Sequence, residues 1–289
     1  MKMRLFVVSI LLLFGFPFIV TKVVDSFGTC NEFFLKGQPP TIKDILENSV
    51  SKNNNQYKII CQKYKNAYKF ANFYDITKKI PVFSAYKYTG SATGGPHLSS
   101  WMIEPQLETL GDEMREPCVN QASPGDYWVQ KGFIHKLERG HLFPNAHAAD
   151  KDTAESTFTM TNIVPQYETF NSGSWLKMEE NVRAYMDSHC RDKDNAANTL
   201  AYVLTGAVPS RSALLNKRVN VPSHMWTAFC CYNSESKKWE SQAHWAENKD
   251  ESKEKDKTIS KKTLEKLQEF LKKKYNKEYK LFINDCLGN

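Results

Sequence analysis

The stretch that decides the fold runs from Glu138 to Arg183. It opens with Glu138-Arg139-Gly140-His141-Leu142, continues through Thr157-Phe158-Thr159-Met160-Thr161-Asn162-Ile163-Val164-Pro165-Gln166, and closes with Phe170-Asn171-Ser172-Gly173-Ser174-Trp175-Leu176-Lys177-Met178-Glu179. The polar and apolar residues of 157–163 alternate, which predicts a strand that stops at Pro165. Gly132 to Leu137 has strand character too, and Gly140 is expected to let the chain bend after it, so that Arg139 and His141 project from one edge. From Trp175 to Met186 there is neither proline nor glycine, so a helix is expected, capped by Ser172 or Ser174. On that helix Trp175, Glu179 and Arg183 are four apart and share one face. Strand, strand and helix make a ββα unit. It holds an imidazole, two guanidiniums, two carboxamides and a carboxylate, a set able to take a proton, bind a metal and hold a phosphate. Alone, Glu179 and Arg183 read as a surface ion pair one turn apart, and Arg-Gly-His is a common triplet.

Outward from this unit, Tyr57 to Tyr64, Phe70 to Tyr74 and Val82 to Tyr88 carry β-branched and aromatic residues between polar ones, the pattern of a sheet with hairpins. Asn198 to Val208 reads as a buried strand ended by Gly206 and Pro209, and Met225 to Tyr232 as another. Glu247 to Lys262 is almost wholly charged or polar and reads as a solvated loop. Beyond it, Leu264, Leu267, Phe270 and Leu271 recur at helical spacing, predicting an amphipathic helix over the core.

Lys2 and Arg4 precede an apolar run from Leu5 to Val20. That is the pattern of a signal peptide, and the run is shorter than the ~20 residues a spanning helix needs, so no stable membrane anchor is expected. The sequence divides into a signal peptide (1–21), an N-terminal arm (22–56), a main domain (57–246) and a charged loop with a C-terminal helix (247–289). A formal net charge of +7 favours an acidic partner. All seven cysteines lie beyond the signal, so in a secretory compartment six are expected to pair, with Cys30 stapling the arm. No Cys-x-x-Cys pair supports a zinc ribbon, and no Asn-x-Ser/Thr triplet marks a glycan site.

The three motifs, in this order and spacing, resemble the DNA/RNA non-specific endonucleases of the ββα-metal class, to which endonuclease G belongs. Within that family, the signal, Cys30 to Pro40 and the C-terminal extension look most like the endonuclease domain-containing 1 proteins of vertebrates. The resemblance implies an α+β fold of the ββα-metal (His-Me finger) type, a central antiparallel sheet flanked by helices. It implies a secreted, Mg²⁺-dependent nuclease, with Mn²⁺ or Ca²⁺ as substitutes, acting on the phosphate backbone of DNA, RNA or both. His141 is then the general base, Asn171 the one direct metal ligand, and Glu179 acts on the metal through a water. Asn162 positions His141 or the site waters, and Arg139 and Arg183 hold the phosphate.

Two positions depart from the family's pattern. Glu138 stands where Asp is usual, and Ser99 and Ser100 stand where an arginine usually precedes the tryptophan matched by Trp101. Losing that cation would weaken phosphate stabilisation and motivates an alternative, a weak or inactive secreted nucleic-acid-binding protein of the same fold.

Overall fold

A computed structural model describes residues 22–92, 101–108, 118–128, 136–254 and 256–287. The proposed signal peptide, Ser99 and Ser100, and the start of the strand expected from Gly132 lie outside the described residues.

An eight-stranded, wholly antiparallel sheet forms the centre. It starts at β1 (Lys22–Val24), β2 (Tyr57–Tyr64), β3 (Ala67–Asp75) and β4 (Ile80–Tyr88). The ββα unit is then inserted, as β5 (Leu137–His141), β6 (Ile163–Tyr167) and a helix that begins at Leu176. Short β7 (Cys190–Arg191), β8 (Ala201–Val208), β9 (His224–Asn233) and β10 (Lys238–Glu247) complete the sheet. β8 pairs with β4 on one side and β9 on the other, and β10 covers the outer side of β9. The strand β10, which the sequence reading did not anticipate, closes a hairpin through Ser234–Lys237.

Alternation decides which residues meet which layer. On β4, Tyr86 and Tyr88 face the cluster that holds the ββα unit, while Phe83 and Ala85 face the opposite cluster. The adjacent cysteines Cys230 and Cys231 on β9 must point to opposite faces. Cys231 therefore bridges to Cys190 on the first face and Cys230 to Cys286 on the second. Cys30 bridges to Cys61, tying the arm to β2, and the seventh cysteine, Cys118, is buried outside these three bonds. Gly206 does not end β8. It sits opposite Trp226, whose ring would lie 2.3 Å from any Cβ placed there.

The second face is covered by the arm, with Phe27 and Phe34 packed edge to face, and by the C-terminal helix Leu264–Tyr275. That helix starts where the Thr263 hydroxyl accepts from the Lys266 amide and stops at Asn276, which adopts the left-handed conformation. Leu264, Leu267 and Leu271 are buried, each contributing about 1.5–3 kcal/mol of apolar burial. Among the described residues no helix is long and apolar enough to cross a membrane.

The segment 247–262 differs from the solvated loop expected of its composition. Asn248 is buried; its Nδ2 donates to Pro165 O and Pro222 O, and its Oδ1 accepts from Tyr167 N. Its amide thus continues the ladder along the free edge of β6. Glu251, 6% exposed, accepts from Ser174 N and Oγ and pairs with Lys257 at 2.8 Å. A strap of charged residues is thus pinned to β6 by Asn248 and to the turn before the helix that carries Glu179 by Glu251.

Candidate active site

β5 and β6 form a two-stranded ribbon with Glu138 opposite Gln166 and Gly140 opposite Val164. Gly140 is not a bend, since the strand runs through it. A Cβ there would meet Gln166 Oε1 at 1.9 Å, so the glycine serves the close approach of the buried Gln166. β6 also starts later than the alternation predicted. Met160–Asn162 form a 3₁₀ turn, and the strand then includes Pro165, tolerated because that residue faces the outer edge closed by Asn248.

Arg139 and His141, alternate residues on β5, both meet Trp101. The His141 ring centroid lies 5.3 Å from Trp101 and 5.1 Å from Phe158, which approaches edge-on. The Trp101 and Phe158 segments are joined by Met102 N donating to Phe158 O and Met160 N donating to Met102 O. Among the described residues the buried His141 Nε2 has no hydrogen-bond partner, and burial lowers the imidazole pKa to about 4. It is therefore neutral at pH 7. The Arg139 guanidinium lies between the rings of Trp101 and Tyr127, 5.2 Å from each, and Nη2 donates to Pro124 O. Its Nε is buried and unpartnered. This aromatic sandwich holds the cation in one orientation.

Both sandwich walls are held by one clasp, in which Gln121 Oε1 accepts from Glu104 N and Gln121 Nε2 donates to Glu104 O. The Glu104 carboxyl is buried with Oε2 unpartnered, and burial raises its pKa to about 7, against a small opposing hydrogen bond from Gln106. An acid whose folded pKa is raised contributes stability below its unfolded pKa of about 4.5, lost as pH rises through 7. Glu104→Gln is thus expected to raise the melting temperature increasingly between about pH 5 and 8, by up to roughly 3 kcal/mol of stability. Equal melting temperatures for variant and wild type at pH 8 would refute this.

The other half of the site stands on the turn and helix after β6. Residues Asn171–Trp175 form a π turn leading into the helix Leu176–His189. Neither serine caps it as expected: Ser172 Oγ donates back to Glu168 O, and Ser174 Oγ is taken by Glu251. Glu138 joins the two halves. Its Oε2 accepts from Asn171 Nδ2 at 3.1 Å while Oε1 accepts from Lys136. The longer side chain at 138 thus spans from β5 to the turn. Because Asn171 Nδ2 donates to Glu138, its Oδ1 is the atom left to accept or to bind a cation.

Trp175 Nε1 donates to Glu179 Oε1 at 2.8 Å, as the four-residue spacing predicted. Burial raises the Glu179 pKa to about 8; the Trp175 bond lowers it and Glu180 raises it further. The surface ion pair with Arg183 does not form among the described residues. Arg183 is half-buried one turn along, and its charge bears on Tyr88 and His147. Asn162 is fully buried, with Oδ1 accepting from Ser84 Oγ and Phe143 N and Nδ2 donating to Phe143 O and Thr157 O. These four bonds tie Phe143, just beyond His141, to Ser84 of β4 and to Thr157, so the amide can position His141 but has nothing left for a site water.

His147 was missed by the sequence reading, which offers no signal for it. It is buried, and its Nε2 bonds Glu179 O at 3.2 Å; a carbonyl only accepts, so Nε2 carries the proton and Nδ1 accepts from Tyr86 OH at 2.9 Å. It braces the helix at Glu179.

The donors fit one hydrated hard cation. Asn171 Oδ1 is a single oriented oxygen, and Glu179 is a desolvated carboxyl, held protonated at pH 7 by burial and without a cationic partner among the described residues, that a bound cation would ionise. Among the described residues no group of three His, Cys, Asp or Glu could instead cage a metal.

The family model for DNA/RNA non-specific endonucleases matches residues 49–279. The chain belongs to that family. It is 31% identical over 215 residues to the human endonuclease domain-containing 1 protein, covering 71% of this chain and 39% of that one. It is 25% identical to the nuclease of Serratia marcescens, covering 59% of this chain and 58% of that one. The chain therefore spans about two-fifths of the length of its endonuclease domain-containing 1 relatives. A chain in the crystal structure of the EndoG/EndoGI complex superimposes with a TM-score of 0.51 at 16% identity, over 87% of this chain and 89% of that one. The fold is thus the α+β, ββα-metal nuclease fold, with its central antiparallel sheet.

Proposed function

We propose that this endonuclease-family chain is a secreted, Mg²⁺-dependent, sugar-non-specific endonuclease that hydrolyses the phosphodiester backbone of DNA or RNA. The observation that carries the reading is the 3.1 Å contact between Glu138 Oε2 and Asn171 Nδ2, which orients the proposed metal ligand beside the strand bearing Arg139 and His141. Neutral His141 accepts the proton of the attacking water; its lowered pKa keeps it available as a base from neutral pH down to about 4. Arg139, held between two rings, offers its unspent N–H groups to the phosphate, and Arg183 adds positive potential from the helix. Asn162 keeps the chain after His141 in register, and Glu179 orients water near Asn171. Mg²⁺, with Mn²⁺ or Ca²⁺ as substitutes, would be held by Asn171 and would stabilise charge on the phosphate and the departing 3′ oxygen. Three disulfides support an oxidising, extracellular location.

Purified protein is expected to nick plasmid DNA and degrade RNA with Mg²⁺ and to stop on adding EDTA. Salt-sensitive binding of both polymers with no cleavage under any divalent metal would replace this reading with a non-catalytic nucleic-acid-binding protein.

A further inference from the structure

The sheet face opposite His141 carries a second polar feature, where the C-terminal helix Leu264–Tyr275 lies beside β10. A groove of about 910 Å³ is lined there by Trp245 and Phe270 and by Lys261, Lys262, Lys266 and Lys273, together with a single carboxylate, Glu269. The Trp245 and Phe270 rings, both partly exposed, stack with centroids 5.0 Å apart and planes 19° apart. Lys262 Nζ lies 5.1 Å from the Trp245 ring and Lys274 Nζ 5.4 Å from the Phe270 ring. A neighbouring groove shares Lys273 and adds Lys274 and Arg211, so a cationic track runs on from the aromatic pair. Among the described residues none of these six cations is ion-paired.

Trp245 and Phe270 pack against the edge of the core on this face, but the core does not need the lysines around them. Leu264, Leu267 and Leu271 already bury the helix's apolar stripe, and the lysines stand outside it. Clustering like charges costs self-repulsion, which a bound polyanion relieves. A row of lysines alone would suit any polyanion. An accessible stacked aromatic pair set among them suits one whose units carry flat π faces as well as phosphates.

We propose that this groove is a second, non-catalytic binding site for single-stranded nucleic acid, with Lys262, Lys266 and Lys273 on phosphates and the Trp245–Phe270 pair under bases. It goes beyond the nuclease reading, because binding here needs neither His141 nor a metal.

The test measures fluorescence anisotropy of a labelled oligothymidylate of about 20 nucleotides with the full chain in EDTA, across about 50–200 mM salt. The triple variant K262Q/K266Q/K273Q is expected to bind at least about tenfold more weakly and to lose about 2 from the log–log salt slope, at ~0.7 per phosphate contact on a single strand. Phe270→Leu is expected to weaken binding of the oligothymidylate but not of an abasic strand of the same length. An unchanged affinity and slope in the triple variant would overturn the proposal. So would abasic strand or heparin binding as tightly as oligothymidylate, which would mark a general polyanion surface. His141→Ala is expected to retain the full difference between wild type and triple variant, so a chain that binds here but never cleaves refutes the nuclease reading alone.

Discussion

His141→Ala is expected to cleave plasmid DNA about 10²- to 10⁴-fold more slowly than wild type, the usual worth of a positioned general base. The fold should survive. The His141 ring makes no hydrogen bond through Nε2 and is held by Trp101 and Phe158. Removing it opens a small gap but also removes a buried unsatisfied nitrogen, and these effects oppose each other. Side-by-side melting curves and time courses separate folding from chemistry. Cleavage at the wild-type rate would remove His141 from the role. The pH profile adds a second check: because burial holds the imidazole near 4, activity should not fall with a midpoint near 6.5, where a solvated histidine would titrate.

The second large effect is expected at Glu251, remote in sequence from every motif. Glu251→Ala leaves Ser174 N and Oγ buried without their acceptor and deprives Lys257 of its buried partner, although Lys257 also pairs with Glu254 at 3.1 Å. Breaking one side of a buried ion pair costs about 3–5 kcal/mol, and the lower end applies because Lys257 keeps a second partner. For a domain of this size that is a loss of roughly 6–12 °C in melting temperature. Ser174 lies three residues from Asn171 in the same π turn, so slackening it should also raise the divalent-ion concentration needed for cleavage about 10- to 100-fold. Glu251→Gln, which keeps an oxygen acceptor for Ser174, is expected to recover part of the metal dependence. If Glu251→Ala matches wild type in both melting and metal titration, the strap does not hold the site.

Much of this was legible because it depends on near neighbours along the chain. The three strands between Tyr57 and Tyr88 showed in their alternation, the C-terminal helix in Leu264, Leu267 and Leu271, and the Trp175–Glu179 contact in a spacing of four. The family motif placed His141, Arg139, Asn162, Asn171, Glu179 and Arg183 in one unit. Where the reading failed, a distant contact had overruled a local preference. The run 157–163 alternates like a strand, yet the Asn162 amide is worth more bonded to Phe143 and Thr157, and the chain turns there instead. Segment 247–262 is polar enough for solvent, but β6 presents an open edge that Asn248 closes.

By itself, then, the sequence determined most of the central strands, the two long helices and the residue types of a nuclease unit, though not β10, since side-chain period and motif spacing are properties of neighbouring residues. Only the tertiary structure decided how those groups are tuned. The pairing of Glu138 with Asn171, the stacking of Arg139 between Trp101 and Tyr127, and the clamping of Ser174 by Glu251 each join residues 12 or more positions apart. The shifts at His141 and Glu179 come from desolvation, which exists only once the whole sheet and its covering layers have closed over them.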